Sequence, residues 1–143
     1  MTIVIVGILS ATALPKFFDF SVFQQRTFFD DTLNAIRYAQ KLAVATACNV
    51  QVAIAANRFT ITRPNAGSAA DPKCTSTNAA DFTQAVTRPG SNESSYQGSL
   101  SGVSLTTATV YFMAKGNASS AATINVGSQQ IVIVPDTGFV YAP

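Results

Sequence analysis

Hydrophobic and polar positions divide the chain into two regimes. Residues 1–14 carry no charge at all, and the run ends at Pro15 and Lys16. Beyond it the apolar positions become periodic. Phe29, Leu33, Ile36, Ala39, Ala43 and Ala47 follow steps of three and four and share one helix face, with Gln40 the polar intruder. Arg26, Asp30, Asn34, Arg37 and Lys41 keep similar steps and form a polar stripe roughly 110° away. The pattern predicts one long helix over residues 1–47, punctuated at Pro15, whose missing N–H kinks or locally opens the ladder.

The opposite side of this helix is not cleanly polar, since it holds Asp31 but also Ala35, Tyr38, Leu42 and Ala45. A helix covering its own sheet needs only one apolar face. The second face points either to a partner outside the domain or simply to small residues that favour helix, and periodicity leaves both open.

From residue 49 the period changes to two. Residues 49–55 alternate Val50, Val52 and Ile54 with Gln51 and small residues, and residues 58–63 alternate likewise, so Ala56-Asn57 is the turn of a hairpin that packs on the Leu33 and Ile36 face. Residues 64–84 turn to Pro, Asn, Gly, Ser and Asp and read as loop. Residues 87–102 are loop-like as well, with at most a short strand near 95–97. Strands follow at 108–113, 122–126, 130–134 and 138–141, separated by Lys115-Gly-Asn117, Gly127-Ser128 and Asp136-Thr-Gly138. The expectation is an α+β fold: a helix over 1–47 packed on an antiparallel sheet head, 48–143, built as a meander.

At 1.5 Å per residue the uncharged run reaches roughly 21 Å, whereas a bilayer core is about 30 Å thick. The run is short of a span, and a further six or seven residues upstream are expected, about the length needed to complete one. Two other readings compete. Ile3 to Leu9 with Ala11-Thr12-Ala13 resembles the core and cleavage site of a signal peptide, without its basic leader. A buried globular helix would need more apolar surroundings than the rest of the chain offers.

Composition narrows the function. The 143 residues suffice for one domain with its own core. Charged residues are 11% and the formal net charge is +2, so no electrostatic case exists for a nucleic-acid or anionic-membrane partner. The chain contains no histidine, the usual general base and metal ligand. Ser99 and Ser101 lie among glycines, but Leu100 holds the nucleophile position of a Gly-x-Ser-x-Gly elbow. No catalytic residue, metal site or cofactor is expected. Asp71 and Asp81 flank Cys74 without Asp-x-Asp spacing and read as solvated loop carboxylates rather than calcium ligands. Asn92-Glu-Ser94 and Asn117-Ala-Ser119 read as turn residues.

The cysteines are the one constellation with definite chemistry. Cys48 falls where helix gives way to strand, and Cys74 falls in the middle of the 64–84 loop. A bridge would tie that loop to the base of the sheet, worth roughly 3 kcal/mol for about 25 closed residues, and needs an oxidising compartment. Two free thiols are the alternative.

The stretch Thr2-Ile-Val-Ile-Val-Gly-Ile-Leu-Ser-Ala-Thr-Ala-Leu-Pro15, with its long amphipathic continuation, resembles the N-terminal helix of type IV pilins and type II secretion pseudopilins. That resemblance implies a prepilin-peptidase site, an N-methylated aromatic residue and a glutamate upstream of Met1, about seven mature residues before this sequence. Val110-Tyr-Phe-Met-Ala-Lys-Gly116 and Ile131-Val-Ile-Val-Pro-Asp-Thr-Gly-Phe-Val-Tyr141 are similar to the closing strands of the pseudopilin-H and FimT-like minor pilins. Arg37-Tyr-Ala-Gln-Lys-Leu-Ala-Val-Ala-Thr46, running into a strand through Cys48, is most similar to the MshC-like minor pilins of mannose-sensitive haemagglutinin (MSHA) pili.

The resemblance implies a structural minor pilin and not an enzyme. Its partners would be other pilins of the filament, the inner-membrane assembly platform and, before assembly, the inner membrane itself, with the head periplasmic and later on the cell surface. Gly7 and Pro15 would weaken the helix ladder where family members unwind on assembly. Six phenylalanines lie within residues 17–29. They have two readings: an interfacial or filament-core cluster where the helix leaves the bilayer, or Phe28 and Phe29 in the core with the others on lipid headgroups. Phe17, Phe18, Phe20 and Phe23 are expected against neighbouring subunits, because each large aromatic is worth about 1.5 to 3 kcal/mol when buried. Two other functions share the fold: a type II secretion pseudopilin, and a FimT-like DNA-uptake pilin. The second is disfavoured because residues 138–143 carry none of the arginines that would meet phosphates.

Overall fold

The structure is a computed structural model that describes residues 20–143. Among the described residues one α-helix, α1 (Phe20–Thr46), is followed by eight strands: β1 (Val50–Ala55), β2 (Arg58–Arg63), β3 (Gln84–Ala85), β4 (Gln97–Ser99), β5 (Ala108–Phe112), β6 (Ala122–Val126), β7 (Gln129–Ile133) and β8 (Val140–Tyr141). The chain is α+β, an N-terminal helix with antiparallel sheets. Among the described residues no helix is long and apolar enough to cross a membrane.

α1 buries Phe28, Phe29, Thr32, Ala35, Ile36, Ala39 and Ala43. These steps of three and four are the stripe that sequence periodicity reads, shifted by one position toward Phe28 and Thr32. Thr32 is tolerated inside because its hydroxyl donates to the Phe28 carbonyl at 2.7 Å. Leu33 is half-buried and still packs against the core, whereas Ala47 is exposed and leaves the expected face. The helix stops at Thr46, and Ala47 takes a left-handed φ of 53° to turn the chain into β1. Gln40, the expected intruder, is a fastener: its amide donates to the carbonyls of Gly116 at 3.0 Å and Thr137 at 2.9 Å.

The strands do not form a simple meander. β1 pairs with β2 through the expected Ala56-Asn57 hairpin, and its other edge takes β5, with Val50 opposite Phe112 and Ile54 opposite Ala108. The outer edge of β2 is shared: β4 pairs at Arg58–Thr60 and β3 at Thr62–Arg63. β6, β7 and β8 form a separate three-stranded sheet, and isolated bridges at Leu105–Val126 and Phe112–Ala118 tie each sheet to the loop that leads into the other. β3 is absent from the sequence reading because the residues around it carry no alternation. Their strand character comes from Ile61, whose carbonyl accepts from the Val86 amide and whose amide donates to the Tyr96 carbonyl.

Val50, Val52, Ile54, Phe59, Ile61, Val110 and Phe112 join the α1 stripe in one core that continues through Ile124, Val126, Ile131 and Ile133. The opposite face of the first sheet is covered as well. Gln51, 8% exposed, donates to the Tyr111 hydroxyl and accepts from Thr62, while Phe82 packs on the Tyr111 ring at 5.1 Å between centroids. The 64–84 segment therefore roofs the sheet rather than hanging from it.

Candidate functional site

Three places on the molecule carry more than packing. The first is the beginning of α1. Residues 21–27 are exposed except for half-buried Gln25, and burial sets in abruptly at Phe28. Val22 is 60% and Phe23 68% exposed. Isolated apolar residues on a surface need no explanation, but Val22 and Phe23 are two adjacent large ones exposed together at the start of the described helix. Phe23, Thr27, Phe28 and Leu100 line an apolar groove of about 400 Å³ where the helix meets the head. Gly7, Pro15, Phe17 and Phe18 lie outside the described residues, as does the side chain of Phe20. Phe28 and Phe29 are in the core, which decides between the two readings for this pair.

The second is the junction of helix, sheet and roof. Cys48 and Cys74 form a disulfide, their α-carbons 4.3 Å apart. Beside it, buried Asn49 donates its backbone N–H to the Cys74 carbonyl at 2.7 Å and its amide to the Ser76 carbonyl at 3.0 Å, and its Oδ1 accepts from the Ala114 amide at 3.2 Å. The bridge and Asn49 together clamp the roof segment to the head of β1. Asp71 and Asp81 are used locally. Asp71 caps the short helical turn Pro72–Thr75 and is held below its ordinary carboxylate range first by the Lys73 amide, while Asp81 accepts from the Ser76 hydroxyl. Among the described residues no three His, Cys, Asp or Glu side chains converge as metal ligands.

The third is Arg88, to which sequence reasoning assigns no role because it stands in a loop-like stretch without periodicity. Its Nη2 donates to Asp31 Oδ2 on α1 at 2.8 Å and to the Gln97 carbonyl at 3.3 Å. Its Nε faces Glu93 Oε2 at 2.9 Å without the alignment of a hydrogen bond. The guanidinium lies over the Tyr96 ring, 4.7 Å from its centroid. Burial works against the charge on Arg88, but Asp31 and Glu93 outweigh it and raise its pKa. Burial, followed by the Asp31 carboxylate, raises the Tyr96 phenol.

Tyr96 also packs on Tyr38 and Phe59, with centroids 5.7 Å and 6.2 Å away, and Phe59 on Phe28 at 6.0 Å. This aromatic chain corrects the reading of the second helix face. Ala35 is buried, Tyr38 and Leu42 pack against the core, and only Ala45 stays exposed. That face is covered mainly by the chain's own 86–97 segment. Residues 138–143 contain no arginine, yet the fold brings Arg37 of α1 onto β8, where its Nε donates to the Val140 carbonyl at 3.2 Å. Ser99 and Ser101 are exposed on the surface.

With this geometry in hand, comparison of the chain with protein-family models, with curated proteins and with solved structures returned no match.

Proposed function

We propose that this chain is a structural minor pilin subunit of an MSHA-like type IV pilus, with a role in pilus biogenesis and adhesion. On this reading the N-terminal helix holds the subunit in the inner membrane with the head in the periplasm. Extraction by the assembly platform then exchanges lipid contacts for contacts with other pilins in a surface filament. The observation that carries it is the division of α1: from Phe28 onward the helix belongs to the head, while Val22 and Phe23 stand exposed on the turns before it. Apolar surface of this kind gains about 25 cal/mol per Å² when covered, a driving force that a packed filament would use. The disulfide agrees with a head that matures outside the cytoplasm.

The test is a cysteine-crosslinking scan of the subunit in its own bacterium. A cysteine at position 23 should crosslink to a neighbouring subunit in isolated filaments, and Phe23→Asp should lower incorporation while leaving the head folded. Phe28→Ala serves as the contrast, because loss of a buried phenylalanine should cost about 3 to 5 kcal/mol of head stability. A position 23 that stays solvent-accessible in the filament, with normal incorporation of Phe23→Asp, would sink the filament reading. Recovery of the subunit only in secretion-dependent periplasmic assemblies would move it to a type II pseudopilus.

A further inference from the structure

Between α1 and the segment that joins β3 to β4 runs a second groove of about 450 Å³, which meets the apolar one at Phe23 across Arg88. Asn34, Arg37 and Lys41 stand along it on successive turns of the helix, all exposed, and Tyr38 and Pro89 supply its less polar wall. Its charge is one-sided. Arg88 also lines the groove but is already matched by Asp31 and Glu93, whereas among the described residues no carboxylate lies within 4 Å of Arg37 or Lys41. Arg37 is held by the bond from its Nε to the Val140 carbonyl, which leaves its two Nη groups for other acceptors.

A groove of this size suits a small ligand or one unit of a polymer. The two uncompensated cations call for an anionic group, and the guanidinium with its neighbouring ammonium suits a carboxylate or a phosphate. The Tyr96 ring is not free for stacking: one face carries Arg88, and the ring packs on Phe59 and Tyr38. Flat bases that need an open π-face are therefore poorly served. What remains is the half-buried Tyr38 side chain, the ring of Pro89 and the Asn34 amide, which match the mixed C–H and hydroxyl surface of a sugar. We infer that the Asn34–Arg37–Lys41 groove binds a saccharide unit that carries an anionic group, a uronate or a sugar phosphate. The inference goes beyond the filament reading and does not depend on it.

The experiment is a calorimetric titration of the full chain in detergent micelles with glucuronate oligosaccharides, glucose 6-phosphate, neutral glucose oligosaccharides, inorganic phosphate and a mononucleotide. Acidic saccharides should bind and neutral ones should not. A uronate that outbinds glucose 6-phosphate identifies the carboxylate source, and the reverse order the phosphate source. Lys41→Gln, whose side chain is exposed, should weaken binding about tenfold, the scale of one charge-assisted hydrogen bond. Arg37→Gln should weaken it at least as much, and a far-UV spectrum and thermal midpoint matching the parent keep the Lys41→Gln result interpretable. Equal binding of neutral and acidic sugars, binding unchanged in Lys41→Gln, tighter binding of the mononucleotide, or inorganic phosphate binding as well as any saccharide would each overturn the inference.

Discussion

Asp31 and Arg88 lie 57 residues apart in sequence and meet at 2.8 Å, which pins the 86–97 segment to the helix. Both side chains keep about a quarter of their surface exposed, at 25% and 28%, so solvent screens the pair. Arg88→Met should lower stability by about 1 to 2 kcal/mol, counting the ion pair and the cation–π contact with Tyr96. Chemical denaturation of the two proteins checks it, and an unchanged midpoint would mean the loop is held by Val86 and Tyr96 alone.

The same neighbourhood sets an alkaline limit. The Tyr96 phenol titrates above its ordinary value in the fold, so the neutral form is favoured there relative to the unfolded chain. The contribution is fully present below the unfolded phenol's pKa, about 10, and is lost as pH rises through the higher folded value. Stability should therefore fall above about pH 10, and Tyr96→Phe should flatten that fall. Midpoints measured from pH 8 to 11 decide between a flattened curve and an unchanged one.

Gly98 on β4 is a matter of space, because a Cβ there would stand 2.5 Å from Cε1 and 2.8 Å from Cζ of Phe59. Phe59 is fully buried and cannot swing away. Gly98→Ala should cost about 1 to 3 kcal/mol, the usual scale of overpacking, and Phe59→Leu introduced together with it should cost less than the sum of the two single changes. Additive costs would place the strain elsewhere.

Reduction of Cys48–Cys74 frees a segment with a sequence separation of 26, which the chain-entropy account values at about 3 to 4 kcal/mol. Asn49 still holds the Cys74 and Ser76 carbonyls in the reduced protein, so the roof should loosen without the core unfolding. Hydrogen exchange should rise first in residues 64–84 and only later in β1 and β5. Simultaneous exchange throughout would show that the bridge supports the whole head.

Ala47 holds a left-handed backbone without the freedom of glycine. Ala47→Gly should stabilise the protein by about 1 kcal/mol, since the strained conformation costs an L-residue roughly 1 to 2 kcal/mol. A lower thermal midpoint for Ala47→Gly would mean that the added freedom of the unfolded chain outweighs the relieved strain.

What the sequence by itself determined is local. Alternation placed β1, β2, β5 and β6 within a residue or so of their observed ends, and β2 and β6 to the residue, because a half-buried strand writes its pleat directly into apolar and polar positions. The helical stripe was legible for the same reason through Phe29, Ile36, Ala39 and Ala43, whereas the burial of Phe28 and Thr32 was not. Tertiary structure decided the rest. β1 pairs with β5 across about fifty residues, and β3 and β4 divide one edge of β2, because backbone edges pair with whichever strand the core brings alongside, regardless of side-chain pattern. Tyr38 and Leu42 are covered from within, and Arg88 finds Asp31, because the 86–97 segment folds back onto α1. That return is guided by Ile61 backbone bonds and by one buried tyrosine, neither of which leaves a periodic trace in the chain.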